Sequence, residues 1–303
     1  MSRLSHCDIC PRKCGVDRLK GEKGFCRTGA LPIVSSYCKH MGEEPPISGT
    51  HGAGTIFFGY CNLNCVFCQN HQISQPEEDI QDHEVSIERL ANMMIVLQED
   101  GCHNIDLVTP SHVVPQIVAA IDIAAEKGLV IPIVYNTNAY DSLETLQELD
   151  GIVDIYLPDL KYASEKNARL YSKVPNYPET AKKAIKEMWR QAGPLNTDED
   201  GIAEKGIIIR HLLLPNFIDG PKECLNWISD EISMFAHTSL MSQYYPEFKA
   251  SEYPELSRTL TEKEYKKALT ILDDAGLSEG WNQDLNSSET YRPDFSESGH
   301  PFE

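Results

Sequence analysis

The chain has 303 residues, 41% of them hydrophobic and 24% charged, with 27 basic against 46 acidic residues and a formal net charge of −19. These are the proportions of a soluble globular protein large enough for one domain plus appendages. The acidic balance argues against non-specific nucleic-acid binding, which needs Lys and Arg against phosphate.

No apolar run of about 18 residues is available to span a membrane. The start, Met1 to Cys7, lacks a signal-peptide core. Ten cysteines are then expected in a reducing cytoplasm, as metal ligands or buried thiols and not as a disulfide framework.

Residues 1–50 are rich in Cys, Gly and Pro and lack a long amphipathic period, which predicts a loop-rich module. Within it Cys7, Cys10, Cys14 and Cys26 follow the spacing C-x2-C-x3-C-x11-C, with Gly21, Gly24 and Gly29 available for tight turns. Four thiols in so short a segment suggest a second metal site, with Cys38 as a substitute ligand. Zinc would staple a module too small for its own core, whereas iron–sulfur would relay electrons; both stay open. Arg12, Lys13, Arg18, Lys20 and Lys23 form a basic patch, either a solvated face or a landing site for an acidic electron donor.

Over 51–245 short apolar runs alternate with helical patterns, the sign of βα units and a parallel sheet. Strands are predicted at 55–59, 104–109, 130–135, 152–157, 206–214 and 237–243. Helices are predicted at 86–99, where Ile87, Leu90, Met94 and Leu97 share a face, and at 113–127, 142–149, 178–191, 222–232 and 261–275. Thr261 is the expected N-cap of the last and Gly276 its stop. Six strands are fewer than the eight of a closed barrel, so the expected fold is α/β, an incomplete (β/α)6 barrel with its chemistry at the C-terminal strand ends. Residues 246–303 are expected to form a C-terminal extension whose Trp281, Tyr291, Phe295 and Phe302 pack over the barrel mouth. Cys102 and Cys224 are expected to be buried free thiols.

Directly after the first strand comes Tyr60-Cys61-Asn62-Leu63-Asn64-Cys65-Val66-Phe67-Cys68. A closed four-iron cluster takes four thiolates; three in a tight C-x3-C-x2-C loop leave one iron open to another ligand. A zinc knuckle would pair C-x2-C with a second ligand pair, and a disulfide fits poorly in the cytosol. The motif resembles that of the radical S-adenosylmethionine (radical SAM) superfamily. The resemblance implies a 4Fe–4S cluster on Cys61, Cys65 and Cys68, S-adenosylmethionine on the open iron, and Phe67 or its backbone beside the adenine.

The strand ends extend the resemblance to the subgroup of pyruvate formate-lyase activating enzymes. The second strand ends Val108-Thr109-Pro110-Ser111-His112, where the superfamily often has a Gly-Gly-Glu-like turn; hydroxyls of Thr109 and Ser111 and backbone carbonyls would serve the methionine amine instead. His112 is either a helix-start residue or a pocket residue. The third ends Tyr135-Asn136-Thr137-Asn138 and the fourth Pro158-Asp159-Leu160-Lys161, similar to the Asp-Thr-Asn-Gly and Asp-Leu-Lys ends of that subgroup. Thr137, Asp159 and Lys161 match, while Asn136 replaces a carboxylate of the subgroup's cation site. Independently of any family, Asp159 and Lys161 two apart on a strand end share a face and offer both signs of charge to a zwitterionic cofactor.

In the fifth strand Arg210 and His211 interrupt an apolar run, and a buried guanidinium needs a carboxylate, cofactor or substrate as partner. Both are taken as cofactor or substrate contacts. Ser242 and Gln243 end the sixth strand as further pocket candidates. The resemblance runs from about Cys7 to Phe302. It implies an oxidoreductase that cleaves S-adenosylmethionine reductively and abstracts a hydrogen atom, from a glycine of a partner protein or from a small molecule or unrelated peptide. A flavodoxin or ferredoxin would be the electron donor. A non-catalytic metal-binding interaction module is the reading from another class.

Overall fold

The computed structural model of the chain describes residues 2–289, 292–295 and 300–302. Its N-terminal segment is irregular up to β1 (Val34–His40), a strand the sequence pattern did not predict. After α1 (Pro45–Ser48), β2 (Ala53–Phe58) pairs antiparallel with β1. The cysteine loop and α2 (His71–Ser74) lead to α3 (Ile87–Glu99), which starts at Ser86, whose side chain accepts from Arg89 N. Then come β3 (Ile105–Val108), α4 (Val114–Glu126), β4 (Ile133–Thr137), α5 (Leu143–Gln147) and β5 (Ile155–Pro158). Two helices, α6 (Glu165–Ser172) and α7 (Tyr177–Ala192), precede the short β6 (Asn196–Thr197) and the long β7 (Ala203–Leu212). The series closes with α8 (Pro221–Glu231), β8 (His237–Met241), α9 (Glu262–Asp274) and β9 (Gly280–Asn282).

The sheet order is β1-β2-β3-β4-β5-β7-β8-β9, with β6 paired only to β7, and every pair from β2 to β9 on that path is parallel. The six predicted strands are all present. Two strands flank them, β1 before and β9 after, and these do not pair with each other among the described residues. The barrel is therefore incomplete, as expected, with a seam between its first and last strands. The third strand begins at Ile133, not at Val130, because Gln98 Oε1 takes the amides of Val130 and Ile131 and Val130 is 84% exposed.

The outer face of the sheet packs on the helices through Ile105, Leu107, Tyr135, Tyr156, Ile207 and Ile209, each buried. The inner face carries a smaller apolar layer of Ala53, Val134, Ile155, Leu157 and Ile208, into which α1 inserts Ile47. Burying such an aliphatic side chain contributes roughly 1.5–3 kcal/mol. Asn104 Nδ2 donates to Ile47 O at 2.8 Å and fixes α1 as the floor. Above that layer the interior turns polar.

The N-terminal loop docks on the start of α5, where the hydroxyls of Ser142 and Thr145 donate to Ile9 O at 3.0 and 2.5 Å. Arg18 is buried against His112, just before α4, so it leaves the exposed basic patch; Lys13, Lys20 and Lys23 remain on it. Cys38 lies on β1 opposite Thr55 and packs beside Phe57, away from the other N-terminal cysteines. At the other end, Phe295 packs edge-on to Phe57 at 5.3 Å and Phe302 stacks on His40 at 4.1 Å. Tyr291, expected to pack with them, lies outside the described residues.

Candidate functional site

A cavity of about 500 Å³ opens at the C-terminal ends of the parallel strands. Cys61, Cys65 and Cys68 line it, and among the described residues no fourth cysteine does. Their loop is held by its backbone and one side chain: Asn64 N and Val66 N donate to Ser172 O and Tyr171 O at 3.1 and 2.8 Å, and Asn62 Nδ2 to Tyr140 O at 2.8 Å. The loop thus rests on α6, which the sequence pattern missed.

Each of the three sulfurs has a polar partner. Leu63 N and Asn138 Nδ2 reach Cys61 Sγ at 3.3 and 3.4 Å, Ser172 Oγ donates to Cys65 Sγ at 3.0 Å, and Ser74 Oγ lies 3.2 Å from Cys68 Sγ. Burial pushes all three thiols up, Cys65 to about 11. Thiols held this way stay protonated until a metal displaces the proton. Among the described residues no three His, Cys, Asp or Glu side chains converge on a single ion. A cubane takes its thiolates at separate corners, and three cavity thiols leave one corner open. The donor set therefore fits a 4Fe–4S cluster with three protein ligands.

Opposite the loop stand the strand ends. Thr109 (φ 62°), Asn136, Thr137, Asn138, Asp159 and Lys161 all line the cavity, as does Phe67, whose ring lies edge-on to Tyr162 and Tyr244 at 6.5 and 5.7 Å. Lys161 Nζ donates to Asp159 Oδ2 at 2.6 Å. Burial would lower the lysine's pKa, but Asp159 and the neighbouring Cys65 and Cys68 hold it above its ordinary value. Ser111 sits one layer back: its hydroxyl lies 3.0 Å from Thr137 Oγ1, and it does not line the cavity. Thr137 and Tyr135 donate to Asp141 at 2.6 and 2.9 Å; burial raises the Asp141 pKa against these bonds.

Deeper in the barrel, Arg210 finds its partner within the protein. Its Nε donates to Glu44 Oε1 at 2.8 Å, its Nη2 pairs with Glu43 and Glu44, and its Nη1 reaches Asn136 Oδ1 at 3.2 Å. Glu44 is buried, yet Arg210 holds its carboxyl below the usual range. Asp106, on the same inward face of β3 as Val108, is pushed well above the usual carboxylate range by burial and by the Glu43 charge. Its Oδ1 has no partner among the described residues.

His211 corrects the expectation of a cofactor contact. It is fully buried on the outer face of β7, with Nδ1 2.7 Å from Leu160 O and Nε2 2.8 Å from Asp219 Oδ2. Both partners only accept, so the imidazole is doubly protonated. His112 is likewise a buried structural residue, 3.0 Å from Gly59 O. Ser242 faces away and donates to Asp284 O at 2.7 Å. Gln243 stays on the cavity in a chain of amides: Gln283 Nε2 donates to Gln243 Oε1 at 2.6 Å, and Gln69 Nε2 to Gln243 O at 3.0 Å. Sequence reasoning missed Glu43, Glu44, Asp106, Asp141, Gln69 and Gln283. Of these only the adjacent Glu43-Glu44 pair, in an otherwise apolar turn, gave a signal.

Comparison with known proteins bears on this arrangement. Residues 55–194 match the family described as the Radical SAM superfamily. The uncharacterized protein MJ0674 of Methanocaldococcus jannaschii is 34% identical over 288 residues, covering 93% of this chain and 77% of that protein. A second uncharacterized protein of that organism, MJ0808, is 27% identical over 88% of this chain and 80% of its own length. Among solved structures, HydG, a maturase of the FeFe-hydrogenase, superposes with a TM-score of 0.54 at 14% identity, over 81% of this chain and 56% of that one. Methylornithine synthase (PylB) gives 0.50 at 16% identity, over 82% and 74%. At these identities the structural likeness speaks to fold alone.

Proposed function

Because this chain belongs to the radical SAM superfamily, we propose that its cavity is the active site of an iron–sulfur enzyme that cleaves S-adenosylmethionine and takes a hydrogen atom from a substrate. The single observation that carries this reading is the trio of cavity thiols, without a fourth among the described residues, facing a buried Asp–Lys pair. When bound, the cluster and S-adenosylmethionine supply the one-electron cleavage and the hydrogen-abstracting radical.

The protein's own residues do the positioning. Cys61, Cys65 and Cys68 would hold the cluster. Lys161 and Asp159 offer opposite charges to the carboxylate and amine of the methionine moiety, and Asn136, Thr137 and Asn138 add polar atoms along the same wall. Thr109 brings its backbone to the rim, and Phe67 offers an apolar face to the adenine. The amide chain of Gln69, Gln243 and Gln283 ties the cysteine loop to β8 and β9 across the mouth and limits water entry. Arg210, saturated by Glu43 and Glu44, sets the charge of the floor and leaves cofactor contact to the groups above it.

The finer reading is an activase that abstracts hydrogen from a glycine of a partner protein, with a flavodoxin or ferredoxin as electron donor. A second reading, a small molecule or unrelated peptide as substrate, is favoured by Trp281, Pro293 and Phe302, which line the cavity and narrow the way in for a folded loop. The test is anaerobic reconstitution with iron and sulfide, then reduction and measurement of 5′-deoxyadenosine. Cys61→Ala, Cys65→Ala and Cys68→Ala should each abolish the product, while Cys102→Ala, buried at the end of α3, should keep it. Product at wild-type level from Cys65→Ala would end the proposal, and no product from intact reconstituted protein would leave a non-catalytic metal module. Electron spin resonance of a partner protein after incubation separates the activase from small-molecule chemistry.

A further inference from the structure

The N-terminal cysteines form a second thiol group outside the cavity. Cys7, Cys10 and Cys26 are buried and Cys14 is exposed. Backbone bonds fold these positions into one knot: Gly15 N donates to Cys7 O at 2.9 Å, Cys7 N to Val16 O at 2.9 Å and Lys13 N to Cys10 O at 3.0 Å, while Phe25 N, next to Cys26, reaches Cys14 Sγ. Three of them receive an N–H: Arg12 N on Cys10, Phe25 N on Cys14 at 3.5 Å, and Arg18 Nη2 on Cys26 at 3.4 Å. A Cβ on Gly24 would lie 2.8 Å from Cys14 Sγ, so the turn passes the sulfur too closely for any other residue.

Arg18 is the unusual member. It is only 2% exposed; its Nη1 donates to His112 O at 2.8 Å, its Nη2 goes to Cys26, and its Nε has no partner among the described residues. No carboxylate among the described residues pairs with it. A buried guanidinium without a counter-charge costs several kcal/mol. The thiols are what remains to carry that negative charge.

Arg12 joins the two groups: its Nε donates at 2.9 Å to the carbonyl of Asn62, next to Cys61, its guanidinium lies 3.5 Å over Phe25, and Cys10, Cys14 and Cys61 all act on its charge.

We propose that Cys7, Cys10, Cys14 and Cys26 hold a second iron–sulfur cubane, with Arg18 as its buried counter-charge, which passes single electrons inward to the cluster at Cys61, Cys65 and Cys68. In each transfer one electron leaves an external one-electron donor protein, reduces the N-terminal cubane, and leaves it to reduce the inner cluster. No bond forms or breaks and no proton moves. Exposed Cys14 and Lys13 mark the donor's side. The relay rests on the radical reading of the cavity; the second cubane does not.

The full chain reconstituted anaerobically is expected to carry about eight iron and eight sulfide. The double variant Cys10→Ser/Cys26→Ser is expected to carry about four, with a spin-resonance signal that shifts on adding S-adenosylmethionine. The triple variant Cys61→Ala/Cys65→Ala/Cys68→Ala is also expected to carry about four, with a signal indifferent to it. Should the radical reading fail, wild type would give no S-adenosylmethionine response while the triple variant still kept its iron. Arg18→Gln retains every cysteine and is expected to lower the midpoint potential of the N-terminal cluster, with Arg18→Lys restoring it. With flavodoxin as reductant, cofactor cleavage by the double variant should fall by at least about tenfold, while dithionite-driven cleavage persists. One zinc per chain beside about four iron in wild type overturns the second cubane, as does an unchanged potential in Arg18→Gln. Undiminished flavodoxin-driven cleavage by the double variant overturns the relay.

Discussion

Lys161 and Asp159 hold each other at 2.6 Å with less than a fifth of either side chain exposed. Lys161→Met would leave the carboxylate unmatched on the cofactor wall. S-adenosylmethionine affinity, read by calorimetry on reconstituted protein, should weaken by about 2 kcal/mol, roughly thirtyfold; unchanged affinity would remove the pair from the site. Arg210 poses a larger problem, since two buried carboxylates depend on it. Arg210→Met should cost about 3–5 kcal/mol in urea unfolding, and adding Glu43→Gln and Glu44→Gln should recover part of that loss. A variant as stable as wild type would show the network to be dispensable. At this scale the contiguous Cys61–Cys68 motif was legible because its chemistry and its spacing coincide in one loop. The Glu43 and Glu44 pairing was not, because its partner lies more than 160 residues away and only the folded sheet brings them together.

β7 shows what strand periodicity does and does not tell. Neighbours on a strand point to opposite faces, so Arg210 and His211 cannot both enter the cavity, and their joint assignment to a cofactor role overlooked that rule. The outward His211 instead fastens β7 to Asp219 and the carbonyl of Leu160. Burial would lower its pKa, but Cys224 and Asp219 reverse this and hold it well above 6.5. A raised folded value means the histidine's contribution is complete below about pH 6.5 and is lost as pH climbs through the folded value. Wild-type stability should thus decline above pH 6.5 relative to His211→Asn, in urea midpoints across a pH series; parallel curves would show that His211 folds uncharged.

Other elements followed their local signals. Thr261 caps α9 in a capping box with Glu264, so Thr261→Ala should cost about 1 kcal/mol, and a thermal midpoint equal to wild type would count against the cap. β1 escaped notice because Ser35, Ser36, Tyr37, Cys38 and Lys39 are half-buried or exposed, the pattern of an antiparallel edge with little apolar alternation.

Across the whole molecule, the alternation of strands and helices announced the barrel, and their number announced that it would not close. The covering of the gap was foreseen only as aromatic bulk. In the structure Phe295 and Phe302 pack with Phe57 and His40, and no helix of the described chain is long and apolar enough to cross a membrane. A chain ending at residue 289 should fold, because the sheet is complete without the tail. It should cleave S-adenosylmethionine faster in the absence of substrate and lose cluster absorbance more quickly in air. Equal rates in both assays would reduce the tail to decoration.

That seam between β1 and β9 has a broader meaning. On that side Pro293 and Phe302, from a stretch outside the sheet, line the cavity beside His40 of β1 and Trp281 of β9, so part of its shape is independent of strand register. Substitutions at Pro293 or Phe302 are therefore expected to alter what is admitted to the chamber while the cysteine loop and the charged wall opposite keep their geometry. One catalytic engine is thereby fitted with an exchangeable doorway.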